Sequence, residues 1–350
     1  MPQRRFFTAA LAACLLTGAP AAPAQDEAAF AGDWMINLAL PPADIVALLQ
    51  VEQHDGEWSA WLEGGPASLA IDGNHIEVIA DTRDIAGFVI ERRLSGTLSG
   101  SVIEGTLSIV DNEDSEENGT AWRAVRVAKD ADDHEPRPAQ PVDLSGIWLP
   151  GPGVDFRKYS MDLTPEAQAW HDDYLFHLDQ PNVRCISPGL VALIGWSGYP
   201  QEWLQDDDRM TMLFEVGSEV RRVYMDGREF PEYFPNSAMG YSIGHWDGSD
   251  LVVETRMLRP NVRDFRGEPI SENARVIERY ELSDDGNLLS AVIELHDPEN
   301  YERPPLRRRS WIRDPQAEIY PYECDPDSFF RQLHEEGRIE EYMNRAHRRL

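Results

Sequence analysis

The segment "AMGYSIGHWDGSD" (Ala238–Asp250) holds Gly240-Tyr241-Ser242-Ile243-Gly244, which fits the G-x-S-x-G spacing of a hydrolase nucleophile elbow. An elbow needs a strand, a strained turn at the serine, and then a helix whose N-terminus helps to hold the oxyanion. Here the chain continues through Asp247-Gly248 into Leu251-Val252-Val253, which reads as strand, tight turn and strand. The context is therefore wrong for a nucleophile. Gly240 and Gly244 read instead as relief of crowding in a bent strand.

Other side chains nearby could do chemistry. Tyr241, Asp264 and Glu272 form a tyrosine–carboxylate set suited to acid–base work, with Tyr241 as acid and Asp264 or Glu272 as base. Against this stands a structural reading, in which Asp264 and Glu272 pair with Arg228, Arg263 or Arg279. Ion networks perturb carboxylates too, and this reading carries more weight. Tyr159, Trp170, Tyr174, Trp196, Tyr199, Trp203, Phe230, Tyr233 and Phe234 make the stretch unusually aromatic. Most of them are expected in the core, and some as a stacking surface for a flat or terpenoid-like ligand. Arg228, Phe230, Trp246 and Arg279 are the expected ligand-binding residues. The nine histidines show no H-E-x-x-H spacing, and Asp206-Asp207-Asp208 lacks the spaced ligands of a calcium loop. Neither a metal nor a cofactor is expected. Only Lys129 and Lys158 could form a Schiff base.

Composition narrows the partners. With 32 basic and 62 acidic side chains the formal net charge is −30, which disfavours nucleic acid and anionic lipid. Met1–Arg5 is basic, Phe6–Leu16 apolar, and Ala22-Pro23-Ala24 a small-residue cleavage pattern. Residues 1–24 thus read as a secretory signal peptide, with export to the periplasm. Leu11-Ala12-Ala13-Cys14 is a rival, lipobox-like reading that leaves a lipid anchor on Cys14. No other stretch nears the ~18 apolar residues of a membrane helix. Beyond the signal two cysteines remain, Cys185 and Cys324, and an even pair in an exported chain predicts one disulfide.

Turn chemistry and alternation then give the elements. Residues 26–128 carry strand-like runs around His54-Asp55-Gly56, Asp72-Gly73-Asn74 and Ser99-Gly100, an antiparallel meander that closes or nearly closes. Pro41–Leu49 is expected as a short helix across an open end. "KDADDHEPRPAQP", 129–141, is acidic and proline-rich and reads as a linker. A second β unit spans 142–322. It starts with a helix capped by Thr164 and Pro165 that runs to Leu178. Hairpin turns follow at Asp226-Gly227, Asp247-Gly248 and Asp285-Gly286. A C-terminal helix occupies 323–350, with Phe329, Phe330 and Leu333 facing inward.

Both units open alike, "FAGDWMINL" from Phe30 and "LSGIWLPG" from Leu144. Each resembles the G-x-W start of lipocalin-like (calycin) barrels, in which the tryptophan closes one barrel end. The expected fold is mainly β: two antiparallel lipocalin-like barrels or barrel-like domains, one inserted helix and a C-terminal helix. Residues 142–325 also resemble a poorly characterised family of exported bacterial proteins. The blocks that carry this are "DLSGIW", "LTPEAQA", "RCISPGL", "VRRVYMDGREFPE", "MGYSIGHWDGSDLVVET", "GEPISENARVIERYEL" and "YPYECD". The family pattern has histidine at the positions of Phe230, Tyr241 and Ile270. This chain departs from it there and keeps Arg228, Ser242, Asp264, Ser271, Glu272 and Arg279. The loss implies a more apolar and aromatic pocket. The expected activity is periplasmic binding of a small apolar or aromatic molecule in the second barrel. The alternatives are a cofactor-free hydratase, lyase or isomerase, and a structural role at the cell envelope.

Overall fold

The computed structural model describes residues 27–40, 43–62, 65–83, 89–110, 119–126, 137–151, 162–196, 198–263 and 265–349. The signal peptide, Cys14, Tyr159, Asp264 and the first part of the linker lie outside these residues.

A short 3-10 turn, Glu27–Phe30, leads into eight strands: β1 (Gly32–Leu40), β2 (Ala43–His54), β3 (Glu57–Leu62), β4 (Gly65–Asp72), β5 (His75–Arg83), β6 (Val89–Ser99), β7 (Val102–Val110) and β8 (Thr120–Arg126). Each pairs antiparallel with the next, and β8 returns to β1 to close a barrel. At the β2–β3 turn Asp55 and Gly56 both have positive φ, 51° and 85°. That is the twist a two-residue hairpin requires. The core is Trp34, Ile36, Leu49, Val51, Leu62, Ile76, Val78, Leu94, Ile103 and Trp122 among others. Where a helix is expected over Pro41–Leu49, the described part, Ala43–Leu49, is instead the first half of β2. Ala47, Leu49 and Val51 belong to the core, while Leu48 and Gln50 on the opposite face are also buried. Burial on both faces fills in the alternation that marks a strand.

The second unit runs β9 (Gly146–Pro150), α1 (Pro165–Asp172), α2 (Phe176–Asp179), α3 (Leu190–Trp196), β10 (Gln201–Gln205), β11 (Arg209–Phe214), β12 (Glu219–Tyr224), β13 (Tyr241–Asp247) and β14 (Asp250–Arg256). It continues with β15 (Asn261–Val262), β16 (Pro269–Ile270), β17 (Arg275–Leu282), β18 (Leu288–His296), β19 (Leu306–Arg313), α4 (Pro326–Glu335) and α5 (Ile339–Arg349). Nine of its strands close a second barrel in the order β10-β11-β12-β13-β14-β17-β18-β19-β9. One pair departs from the expected antiparallel scheme: β12 and β13 run parallel. Parallel neighbours need a crossover, and here the strap Met225–Gly240 supplies it. The helix expected over Thr164–Leu178 stops at Asp172, with Thr164 accepting from the Ala167 amide at its start. The C-terminal helix is two helices, separated by Gly337 at φ 70°. Phe329 and Leu333 face inward as expected, but Phe330 is exposed.

Both barrels end in the same way. The indole of Trp34 donates to the Phe30 carbonyl at 2.7 Å, and that of Trp148 donates to the Leu144 carbonyl at 3.0 Å. Arg126 covers the Trp34 ring at 4.5 Å, and Arg313 covers Trp148 at 4.6 Å. In each barrel the arginine sits across from its tryptophan in the strand register. Trp61 of the first barrel donates to Asp162 at 2.8 Å, and Arg303 binds Glu52 at 2.6 and 3.0 Å while covering the Trp61 ring.

Cys185 and Cys324 form a disulfide with Cα atoms 5.7 Å apart, joining the turn after α2 to the segment before α4. The C-terminal helices pack Phe329 and Leu333 on Leu178. The end of the proline-rich stretch is docked on the β13–β14 turn. Arg137 N–H donates to Asp247 at 2.7 Å, its guanidinium binds Asp250 at 2.7 Å, and Gln140 N–H donates to the Gly248 carbonyl.

Candidate functional site

Side chains alternate along a strand, so β12 and β13 send one set into the barrel and the other outward. Ser242 takes the inward phase and is buried, its hydroxyl 2.8 Å from Thr255 Oγ1. A strand follows it, not a helix, which disposes of the nucleophile elbow. The inward set also holds an ion pair that sequence reasoning missed. Arg221 donates to Glu278 at 2.6 and 2.7 Å, to Thr255 at 2.8 Å and to Ser242 at 3.1 Å, and Tyr280 donates to Glu278 at 2.6 Å. Arg221 and Glu278 are 1% and 0% exposed. Burial alone would lower the Arg221 pKa, but the Glu278 carboxylate outweighs it and holds the guanidinium charged above its ordinary value. Burial and that same carboxylate push the Tyr280 hydroxyl up. Phase is the signal that could have found Arg221, since it lies two residues from the inward Val223 in "EVRRVY".

Bulky buried side chains share the interior of this barrel with the ion pair. Trp148, Trp203, Tyr280 and Trp311 are all buried there, with Trp203 and Tyr280 edge to face at 5.0 Å.

The aromatic cluster sits on the other face. Tyr241 and Tyr224 point outward with ring centroids 5.0 Å apart. Phe234 meets Tyr241 edge-on at 5.1 Å, and Phe230 lies 6.1 Å from it. Arg228 covers Tyr224 at 3.8 Å and donates to the Tyr241 hydroxyl at 3.3 Å. The strap is anchored by its own turn: Gly227 has φ 74°, and Asp226 takes a forked pair of bonds from Arg228 at 2.6 and 2.8 Å. Those hydrogen bonds bring the Asp226 pKa down to about 2. Gly240, at φ 62°, lets the strap enter β13, because a Cβ there would meet the Arg256 carbonyl at 2.6 Å. A cleft of about 250 Å³ opens beside the rings, lined by Val220, Arg222, Tyr224, Phe234 and Met239–Tyr241 among others. Of the aromatic run expected mostly in the core, Trp203 is fully buried, whereas Tyr199, Tyr233 and Phe234 are exposed.

A second cleft, of about 440 Å³, adjoins it and is lined by Asn236, Arg256, Met257, Glu272, Asn273, Ala274 and Arg275. Tyr241, Arg228 and Phe230 therefore come together, while Glu272 belongs to this neighbouring cleft, where it accepts from Asn236 at 3.0 Å. Trp246 and Arg279 lie elsewhere. Trp246, near the far end of β13, packs on the core, and Arg279 binds Asp250 at 2.8 Å and Asp247 at 2.9 Å. Among the described residues Glu272 pairs with none of the three arginines: Arg228 binds Asp226, Arg263 binds Glu268, and Arg279 binds Asp247 and Asp250, while Asp264 lies outside the described residues. Ser271 is tied to Asp297 through both its amide and its hydroxyl. Of the positions where the resembled family carries histidine, Phe230 and Tyr241 adjoin, and Ile270 is buried on β16.

Neither a protein-family profile nor a curated protein matches the chain. Two solved structures show a low likeness. One is a protein of unknown function from the DUF3598 family of Nostoc punctiforme, 10% identical over 82% of this chain and 97% of that one, with a TM-score of 0.22. The other is a candidate outer membrane protein of Bacteroides fragilis, 8% identical over 81% of this chain and 95% of that one, with a TM-score of 0.19. At such scores neither carries an argument, so function has to be argued from the chain's own geometry.

Proposed function

We propose that this chain is an exported binding protein that holds a small flat apolar or aromatic molecule against the second barrel. The site is the outer face of β12 and β13 beneath the strap Met225–Gly240. The observation that carries the reading is the ring cluster itself: Tyr224, Phe230 and Phe234 converge on Tyr241 beside an open cleft. Ligand sites run from roughly 300 to 1,000 Å³. At about 250 Å³ the cleft falls just below that range, which favours a ligand of one or two rings over a terpenoid or lipid. Covering about 200 Å² of apolar surface is worth about 5 kcal/mol before the costs of association. The disulfide supports export, because such bonds persist in oxidising compartments.

The acid–base alternative takes second place. It requires Tyr241 and a carboxylate at the same bond of one ligand, and Glu272 lines the neighbouring cleft. Titration calorimetry and saturation-transfer NMR with naphthol test the binding reading. Binding in the micromolar to millimolar range is expected, weakened at least tenfold in Phe234→Ala and in Tyr241→Ala. Phe234 is exposed, so its variant tests the site with little risk to folding. Absence of naphthol binding, or binding indifferent to both substitutions, rules the site out.

A further inference from the structure

The second cleft is built differently from the first, and the two are neighbours through Asn236-Ser237 and the Tyr241–Arg256 pair. Arg256 is the cross-strand partner of Tyr241, and its guanidinium covers the Phe230 ring at 4.4 Å. Phe230 therefore lies between Tyr241, which lines the aromatic cleft, and Arg256, which lines the polar one.

Polar groups in this second cleft are oriented by protein partners and keep bonding capacity to spare. The Asn236 side-chain nitrogen donates to Glu272, and that of Asn273 donates to Glu299. A carboxylate only accepts, so each amide must present its nitrogen there, which leaves its oxygen as an acceptor. Glu272 keeps a second oxygen. Arg256 spends its Nε on Glu254 at 2.6 Å and retains its two terminal nitrogens as donors. Arg275 reaches the same Glu254 oxygen at 3.6 Å. Ser271, held by Asp297, accepts from the Asn273 amide and fixes that turn. Met257 adds a strained backbone, φ 61°, pinned by the Ser237 amide donating to its carbonyl at 3.1 Å. Strain of this kind collects at ligand clamps.

Charge decides the class of ligand. Two guanidiniums, Arg256 and Arg275, and one carboxylate, Glu272, line the cleft, and both guanidiniums share Glu254, so the charges offset one another. An anion would compete with Glu254 for both arginines, on a chain of net charge −30. A cation would meet the same arginines. A hydroxyl donates and accepts at once, and so matches a wall that offers both. We propose that the polar cleft receives an uncharged, hydroxyl-rich group, making the whole ligand an aryl glycoside or a similar aryl polyol. This rests on the aromatic cleft holding the ring.

Competition calorimetry with para-nitrophenol and the para-nitrophenyl glucoside, galactoside, mannoside and xyloside separates the two ideas. At least one glycoside is expected to bind tenfold or more tightly than para-nitrophenol. Glu272→Gln and Asn273→Ala, both exposed positions, should abolish that gain and leave para-nitrophenol binding unchanged. The inference is overturned if para-nitrophenol binds as well as all four glycosides or if the gain survives both substitutions. A tighter fit of para-nitrophenyl phosphate than of any glycoside also overturns it, in favour of an anion site. Failure of both naphthol and para-nitrophenol to bind is a different result, and it defeats the aromatic cleft itself.

Discussion

The buried pair Arg221–Glu278 gives the sharpest test of how the second barrel is held together. Replacing Glu278 with leucine leaves a fully buried guanidinium with only neutral oxygen partners, Ser242, Thr255 and the Tyr280 hydroxyl. Replacing Arg221 with methionine leaves a buried carboxylate with only the Tyr280 hydroxyl. Each change strands a charge, which costs about 3–5 kcal/mol. Together they strand none. Ser242 and Thr255 still bond each other, and Tyr280 alone loses its partner, at about 1–3 kcal/mol. The double variant should therefore be no less stable than either single variant, with a coupling of at least about 3 kcal/mol. With a urea slope of ~2 kcal/mol/M, each single change moves the barrel's midpoint by about 2 M. Urea unfolding followed by tryptophan fluorescence and resolved into one transition per barrel reads this out, with the first barrel as internal control. Single effects that add to within about 0.5 kcal/mol would show that the two side chains are not an energetic unit.

The matched closures predict separable effects. Trp34→Phe should destabilise the first barrel alone and Trp148→Phe the second alone, each by about 1–2 kcal/mol from the lost indole bond and packing. A shift of the other barrel's transition in either variant would contradict independent closure. The disulfide spans a sequence separation of 139 residues, so Cys185→Ser with Cys324→Ser should cost about 4–5 kcal/mol on the loop-entropy scale. Limited proteolysis should then cut first near Cys324, and cleavage unchanged from the parent would be the contrary result. Asp226 titrates at about 2 in the folded protein, below the ordinary ~3.9 of an aspartate. Its hold on Arg228 is thus complete above the unfolded value and fades as pH falls through about 2. Carboxyl NMR should show that midpoint, with return to the ordinary range in Arg228→Ala; no response to Arg228→Ala would remove the assigned cause.

Much of the fold was legible because turn residues and alternation are local. Asp55-Gly56 announced its hairpin, the paired G-x-W starts announced two barrels, and an even cysteine count announced the disulfide. What failed was non-local. β2 is buried on both faces by contacts far along the chain, so its apolar run looked helical. β19, "LRRRSWIR", was not read as a strand, because its arginines hide the pattern that Trp311 and the buried Leu306 complete. The candidate site was half legible. Tyr241, Arg228 and Phe230 were named and do adjoin, but the sequence could not say that they face away from the lumen. That depends on the phase of β13, which Ser242 sets by bonding inward to Thr255 and Arg221. Tyr224 was passed over because a tyrosine in a strand has no local mark of its outward neighbour.

The parallel step between β12 and β13 has a consequence for how such a molecule can change. A tight hairpin dictates the alignment of the strands it joins, so its length cannot vary without slipping the sheet. Here alignment is kept by Val223 opposite Ser242 and Tyr224 opposite Ile243, while Ser237–Met239 is tied to Met257, Arg259 and Leu190 and to the core, and Asp226–Asn236 travels between these anchors. Insertions or exchanges within Asp226–Asn236 leave the closed cylinder untouched. Descendants of this scaffold can therefore reshape the proposed site by rewriting one surface segment, the one that already carries Phe230, Phe234 and Asn236.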